Sequence, residues 1–223
     1  MGWEGARAVE IEPSLYAADF ARLGDEVTAL LDAGARVFHF DVGDGHFVEP
    51  ITIGPVVLRA IAPLVSERGG LVDCHLMVED PRRHIPQIAG AGGHSVTFHV
   101  EVGAVEQTAA LAREHGLGVG VAFNPDTPVA TAAEAAHLAD ICLCMSIYPG
   151  YSGQAFLPQA LGRVRELRGL LGEGARIQVD GGIGPENIGA VRSAGANLFV
   201  AGSSIFGAGD PAAAFRELER AAG

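Results

Sequence analysis

Residues 39–48 read HFDVGDGHFV, in which two His and two Asp fall within eight positions beside Phe and Val. Ionisable groups are rarely left in an apolar run without a partner. Alternate residues of a strand share a face, so His39 and Asp41 point one way and Phe38, Phe40 and Val42 the other. LVDCHLMV repeats the arrangement, with Asp73, His75 and Met77 opposite Cys74, Leu76 and Val78. RIQVD ends in Asp180. If these polar faces converge, His39, Asp41, His75 and Asp180 supply two imidazoles and two carboxylates. That set suits one divalent transition metal: Zn, Fe(II), Mn or Co. His99 lies next to the end of SVTFHV and reads as able to line the same region, without a ligand role. His46, His84, His94, His115 and His137 read as loop or helix residues.

Three glycine-rich loops carry the second signal: PGYSGQ (149–154), DGGIGPEN (180–187) and AGSS (201–204). Closely spaced Gly lets backbone N–H groups approach an anion. Pro185 is expected to start a helix whose N-terminus also favours negative charge. Together the loops point to a phosphate site.

The elements that must position these groups alternate regularly. Strands are expected at 9–13, 35–42, 71–78, 95–100, 118–123, 140–147, 176–180 and 197–202. Helices are expected at 19–32, 55–64, 81–89, 104–115, 129–137, 158–171, 185–194 and 211–221. Pro86 should weaken or bend the third helix. Gly34, Gly92, Gly116 and Gly195 sit where helices should stop. Eight such units argue a parallel sheet closed into one (β/α)₈ barrel, the TIM-barrel fold, over residues 1–223. A doubly wound open sheet is the alternative. The polar residues fall at C-terminal strand ends, which in a barrel form the active face.

Composition removes other classes. All 15 basic residues are Arg, so Schiff-base chemistry and a P-loop have no lysine to use. A net charge of −12 argues against nucleic acid and anionic membrane surfaces as partners. Mean hydropathy is +0.26, enough apolar content for a sizeable core. No spanning segment or signal-peptide core is read, so a cytoplasmic location is expected. Cys74, Cys142 and Cys144 read as reduced core thiols.

Taken together, EPSLYAADFARLGDEV, HFDVGDGHFVEPITIGP, DCHLMVEDP, FNPDTP, MSIYPGYSGQAF, QVDGGI and VAGSSIF resemble the ribulose-phosphate 3-epimerase family from about Ile11 to Phe206. The resemblance implies a metal-dependent barrel that inverts C3 of D-ribulose 5-phosphate to give D-xylulose 5-phosphate. By position, His39, Asp41, His75 and Asp180 would hold the metal, and Asp41 and Asp180 would be the acid/base pair. Ser14 and His75 would contact substrate. Gly150, Tyr151, Ser152, Gly153, Asp180, Gly181, Gly182, Gly202 and Ser203 would bind it, largely through phosphate. Met77 and Met145 would cap the planar intermediate, and a homo-oligomer is implied.

The chain departs from the family pattern at Gly43, where Met is usual, at Tyr148, and at Glu12. Extra room at Gly43 would suit a longer sugar, so D-allulose 6-phosphate is the alternative substrate. A metal-dependent aldolase or isomerase, and a non-catalytic sugar-phosphate binder, are the other classes.

Overall fold

The computed structural model describes residues 3–223. Eight parallel strands make one sheet: β1 (Glu10–Pro13), β2 (Val37–Gly43), β3 (Leu71–Met77), β4 (Ser95–His99), β5 (Gly118–Phe123), β6 (Ile141–Met145), β7 (Ile177–Asp180) and β8 (Leu198–Ala201). Neighbours follow chain order from β2 to β8, and β8 pairs with β1. A parallel bridge between Ser14 and His39 joins β1 to β2, nearly closing the barrel. An open doubly wound sheet would leave these two strands apart.

The helices are α1 (Leu23–Ala33), α2 (Pro55–Ser66), α3 (Ile85–Ala91), α4 (Val105–Glu114), α5 (Val129–Ala136), α6 (Ala160–Leu171), α7 (Ile188–Ser193), α8 (Ser203–Phe206) and α9 (Pro211–Ala222). Gly34, Gly92, Gly116 and Gly195 follow helices with φ of 112°, 93°, 74° and 116°. These are left-handed conformations that glycine adopts without a Cβ clash.

Two expected helices differ. The segment from Pro81 splits into a 3₁₀ turn (Pro81–Arg83) and α3, which places Pro86 in the first turn of α3, where its missing N–H is harmless. No helix starts at Pro185. The Asn187 side chain accepts from the Gly184 N–H (3.0 Å) and donates to the Gly182 carbonyl (2.7 Å). This local turn occupies the backbone until α7 begins at Ile188, as Asn side chains commonly do.

Strand alternation sorts the core. Phe38, Phe40, Val42, Val72, Cys74, Leu76, Val96, Phe98, Val179 and Phe199 point outward and pack with Val27, Leu30, Leu58, Ile61 and Phe215 of the helices. Inside the barrel, Trp3, Val37, Ile141 and Leu198 plug the N-terminal end. Ala122, Leu143, Met145 and Ile147 form a second apolar patch. Between and above these lies a polar layer: Glu12, His39, Asp73, His75, Thr97, His99 and Gln178 are each 0% exposed. Cys74, Cys142 and Cys144 are buried and unpaired. Burial pushes the Cys74 and Cys142 thiols well up, away from reactivity.

Candidate active site and metal centre

Register brings the site together. In the β2–β3 pair, Asp41 lies beside His75 and His39 beside Asp73; in β6–β7, Met145 lies beside Asp180. Period-two alternation then sends His39, Asp41, His75 and Asp180 into the same end of the barrel. One ligand atom from each lies within 4.8 Å of the others. Asp41 Oδ1 is 3.1 Å from His75 Nδ1 and 3.2 Å from His39 Nε2. Asp180 Oδ2 is 3.9 Å from His75 Nδ1 and 4.0 Å from His39 Nε2.

These residues fit a divalent cation. Both ring nitrogens of His39 are buried and lack a hydrogen-bond partner. Such orphaned atoms are unusual and unfavourable in a folded interior. Two imidazoles and two carboxylates converging at this spacing are the donors a borderline metal takes.

The electrostatics separate the two carboxylates. Burial works to raise the Asp41 pKa, but His39 and His75 beside it outweigh burial and hold it well below the ordinary carboxylate range. Asp180 moves the other way, to about 7, through burial and then repulsion from Asp41, with His39 opposing. Burial depresses His39, yet Asp41, Asp180 and Asp73 overcome it and raise the imidazole to about 10. Burial, with His99 and His39 nearby, lowers His75 to about 4. Asp41 thus tends to stay ionised near neutral pH while Asp180 is poised between its two forms, a split that base and acid roles can use.

Below the cluster lies a second polar group that the sequence reading did not join to the site. His39 Nδ1 is 3.7 Å from Asp73 Oδ2 and 3.9 Å from Glu12 Oε2. Ser95 Oγ and Thr97 Oγ1 donate to Asp73, at 2.5 and 3.1 Å, and Gln178 Nε2 donates to Glu12 at 2.6 Å. Burial, and for Glu12 the adjacent Asp73, push both carboxyl groups up. The signal was present in sequence, because Glu12, Asp73 and Gln178 each sit two residues before a site residue on the same strand face.

A cavity opens above the cluster. It is lined by Ser14, Asp41, Met77, Met145, Gly150, Tyr151, Ser152, Gly153, Asp180, Gly181, Gly182, Gly202 and Ser203, all singled out in sequence, together with Tyr16, Ile147, Pro149, Ile183 and Val200. His39 and His75 lie buried beneath it. Ser14 Oγ donates to Asp41 Oδ2 at 2.7 Å. Gly182 has φ 64°, and a Cβ there would stand 2.5 Å from the Phe156 backbone nitrogen, so the loop needs glycine.

Gly43 does not fit its expectation. It is absent from the cavity lining, and there is no extra room beside it. A Cβ would meet the Pro50 carbonyl oxygen and Val48 Cγ2 at 2.9 Å and Thr52 Cγ2 at 3.0 Å. The loop after β2 folds back over Gly43: Gly43 N–H donates to Thr52 Oγ1, which donates to the Asp41 carbonyl, each at 2.6 Å. The glycine admits backbone, not a longer substrate.

Among the described residues no helix is long and apolar enough to cross a membrane. Solved structures share the fold: 3-hexulose-6-phosphate synthase from Salmonella typhimurium superposes with a TM-score of 0.72 at 18% identity, covering 96% of this chain and 98% of that one. Sequence relatives are nearer. The chain is 43% identical to ribulose-phosphate 3-epimerase 1 of Cupriavidus necator over 94% of its own length and 89% of the relative's. It is 44% identical to ribulose-phosphate 3-epimerase of Escherichia coli over 88% of each. A sequence model of this family matches residues 10–206, so with the fold and cluster described above, the chain belongs to the ribulose-phosphate 3-epimerase family.

Proposed function

We propose that the protein interconverts D-ribulose 5-phosphate and D-xylulose 5-phosphate by inverting C3. The observation that carries this reading is the pair Asp41 and Asp180, two carboxylates that line one cavity and converge with His39 and His75 at its floor. Inversion needs a group on each face of the reacting carbon, because one group alone tends to return the proton where it came from. Asp41 would remove a proton from one face, and Asp180 would deliver one from the other; the reverse reaction exchanges their parts.

His39, Asp41, His75 and Asp180 would hold the divalent cation. When bound, it supplies positive charge against the negative charge that develops as C3 loses its proton. Zn, Fe(II), Mn and Co all suit the donor set. Met77 and Met145 line the cavity beside the carboxylates and would cover the flattened carbon while excluding water. No Arg lines the cavity, so the phosphate would be held by N–H groups of Gly150–Gly153, Gly181, Gly182 and Gly202, with the Ser203 hydroxyl. With the space beside Gly43 filled, nothing there favours a hexulose phosphate.

The reading extends to a single catalytic barrel acting in the cytoplasm as a homo-oligomer. Exposed Phe20 and Val56, which line one surface groove, support self-association.

Incubating metal-loaded protein with ribulose 5-phosphate in heavy water tests the reaction. Deuterium is expected at C3 alone, with xylulose 5-phosphate formed. Exchange at C1 or carbon–carbon cleavage would replace this reading with the isomerase or aldolase one.

A further inference from the structure

Beneath the cavity, hydrogen-bonding groups run in one line from the loop after β5 to the candidate metal cluster. The Asn124 backbone N–H donates to Glu101 Oε1 at 2.7 Å, and the Thr127 hydroxyl donates to the same oxygen. The other carboxylate oxygen, Oε2, faces His99 Nδ1 at 3.2 Å. His99 Nε2 then meets His75 Nε2 at 2.9 Å, and His75 Nδ1 faces Asp41 Oδ1 at 3.1 Å. The two imidazole planes are within 22° of each other with centroids 5.0 Å apart, an end-to-end arrangement that suits the Nε2–Nε2 hydrogen bond, and the Phe47 ring packs on His99. Both are fully buried, so water does not interrupt the line.

Neutral imidazoles allow only one proton order along it. A carboxylate accepts and cannot donate, so His99 carries its hydrogen on Nδ1. Its Nε2 is therefore the acceptor, and His75 carries its hydrogen on Nε2. The His75 Nδ1 lone pair is left facing a lone pair of Asp41, an arrangement that a shared cation makes favourable.

We propose that Glu101, acting through His99, is a positioning residue that selects the His75 tautomer whose Nδ1 is free to bind the metal. The inference rests on the reading of His75 as a ligand. It assigns the β4 end a part in a site otherwise built from β1, β2, β3, β6, β7 and β8. Glu101→Gln is the informative change, because an amide has one acceptor where the carboxylate has two. Its oxygen stays with Asn124 and Thr127, and its NH₂ turns to His99. The proton order then reverses, and His75 Nδ1 becomes protonated.

The test uses full-length protein with isotope-labelled histidine, loaded with Zn²⁺ alone. Long-range proton–nitrogen NMR reads each tautomer, and chelator competition gives the Zn²⁺ affinity. In the wild type, His99 should carry Nδ1–H, and His75 should carry Nε2–H with Nδ1 on zinc. In Glu101→Gln, with unchanged circular dichroism, Zn²⁺ should bind roughly 10–100-fold more weakly. A wild-type protein that binds no Zn²⁺ sinks the ligand reading and the relay with it. Zinc bound with His99 protonated on Nε2, or a Gln variant that binds as tightly as wild type, overturns the relay alone. The wild-type spectrum decides the proton order by itself, so the proposal does not depend on the variant folding.

Discussion

The hydroxyl of Ser14 donates to Asp41 Oδ2 at 2.7 Å, across the seam where β1 meets β2. Asp41 Oδ1 meanwhile faces both His39 and His75. The two oxygens of one carboxylate are thus divided between a hydroxyl and the imidazole pair. Ser14, expected from the sequence to touch substrate, is also placed to aim Asp41. Ser14→Ala should lower kcat about ten- to a hundred-fold, since a hydrogen bond to a charged group contributes roughly 1.5–3 kcal/mol. Steady-state kinetics at saturating metal checks this. An unchanged kcat would mean that the histidines alone orient Asp41.

Asp180→Asn should lower turnover by about 10²–10⁴-fold, the usual worth of a positioned acid or base. Deuterium wash-in at C3 is the measurement. Near-normal exchange in the variant would remove Asp180 from the proton-transfer pair.

Chelation followed by dialysis should abolish turnover and lower the melting temperature, because a ligand that binds only the folded state stabilises it. Adding back Zn, Fe(II), Mn or Co singly and measuring both quantities identifies the ions that serve. Full activity after complete metal removal would refute the cation reading.

Gly43→Ala should destabilise the fold without changing substrate preference. The added methyl would press on the Pro50 carbonyl and Val48 at 2.9 Å. Overpacking of this kind costs about 1–3 kcal/mol, and each kcal/mol lowers the melting temperature by roughly 2–4 °C at this chain length. Scanning calorimetry, with ketopentose and ketohexose phosphates compared as substrates, separates this outcome from a widened pocket.

Glu101 should add an acid limb to stability. Burial opposes its charge, but hydrogen bonds from His99, Thr127 and Asn124 lower its pKa from 4.5 to about 2. A depressed carboxylate stabilises the fold above its unfolded pKa and loses that contribution as pH falls through the folded value. Glu101 is partly exposed, so solvent screening trims this contribution, and the gap in unfolding free energy between wild type and Glu101→Gln should be about 1 kcal/mol near neutrality and narrow steadily on acidification. Urea titrations across that pH range provide the curve. A gap independent of pH would mean that the charge of Glu101 contributes nothing.

Much of the site was legible in the sequence because strand geometry is local. The spacing of His39 from Asp41 and of Asp73 from His75 fixes which side chains share a face, whatever surrounds them. Eight alternating units likewise announced the barrel, and glycines at helix ends announced where helices stop. Local rules failed where two readings competed. Pro185 is a good first helical residue, yet the Asn187 side chain captured the backbone for a turn.

What only the tertiary structure decided concerns neighbours that are distant in sequence. Register between β2 and β3 put His75 beside Asp41, and bridging of β1 to β2 put Ser14 on the same carboxylate. Opposite pKa shifts for two identical side chains, Asp41 and Asp180, follow from which charges each meets once buried. At Gly43 the sequence recorded a missing side chain, but the loop from Val48 to Thr52 determined that the space is filled. Residue type and spacing determine what chemistry a chain can do. Burial and long-range contacts determine which proton sits where, because electrostatic energies depend on distance and desolvation in the assembled fold.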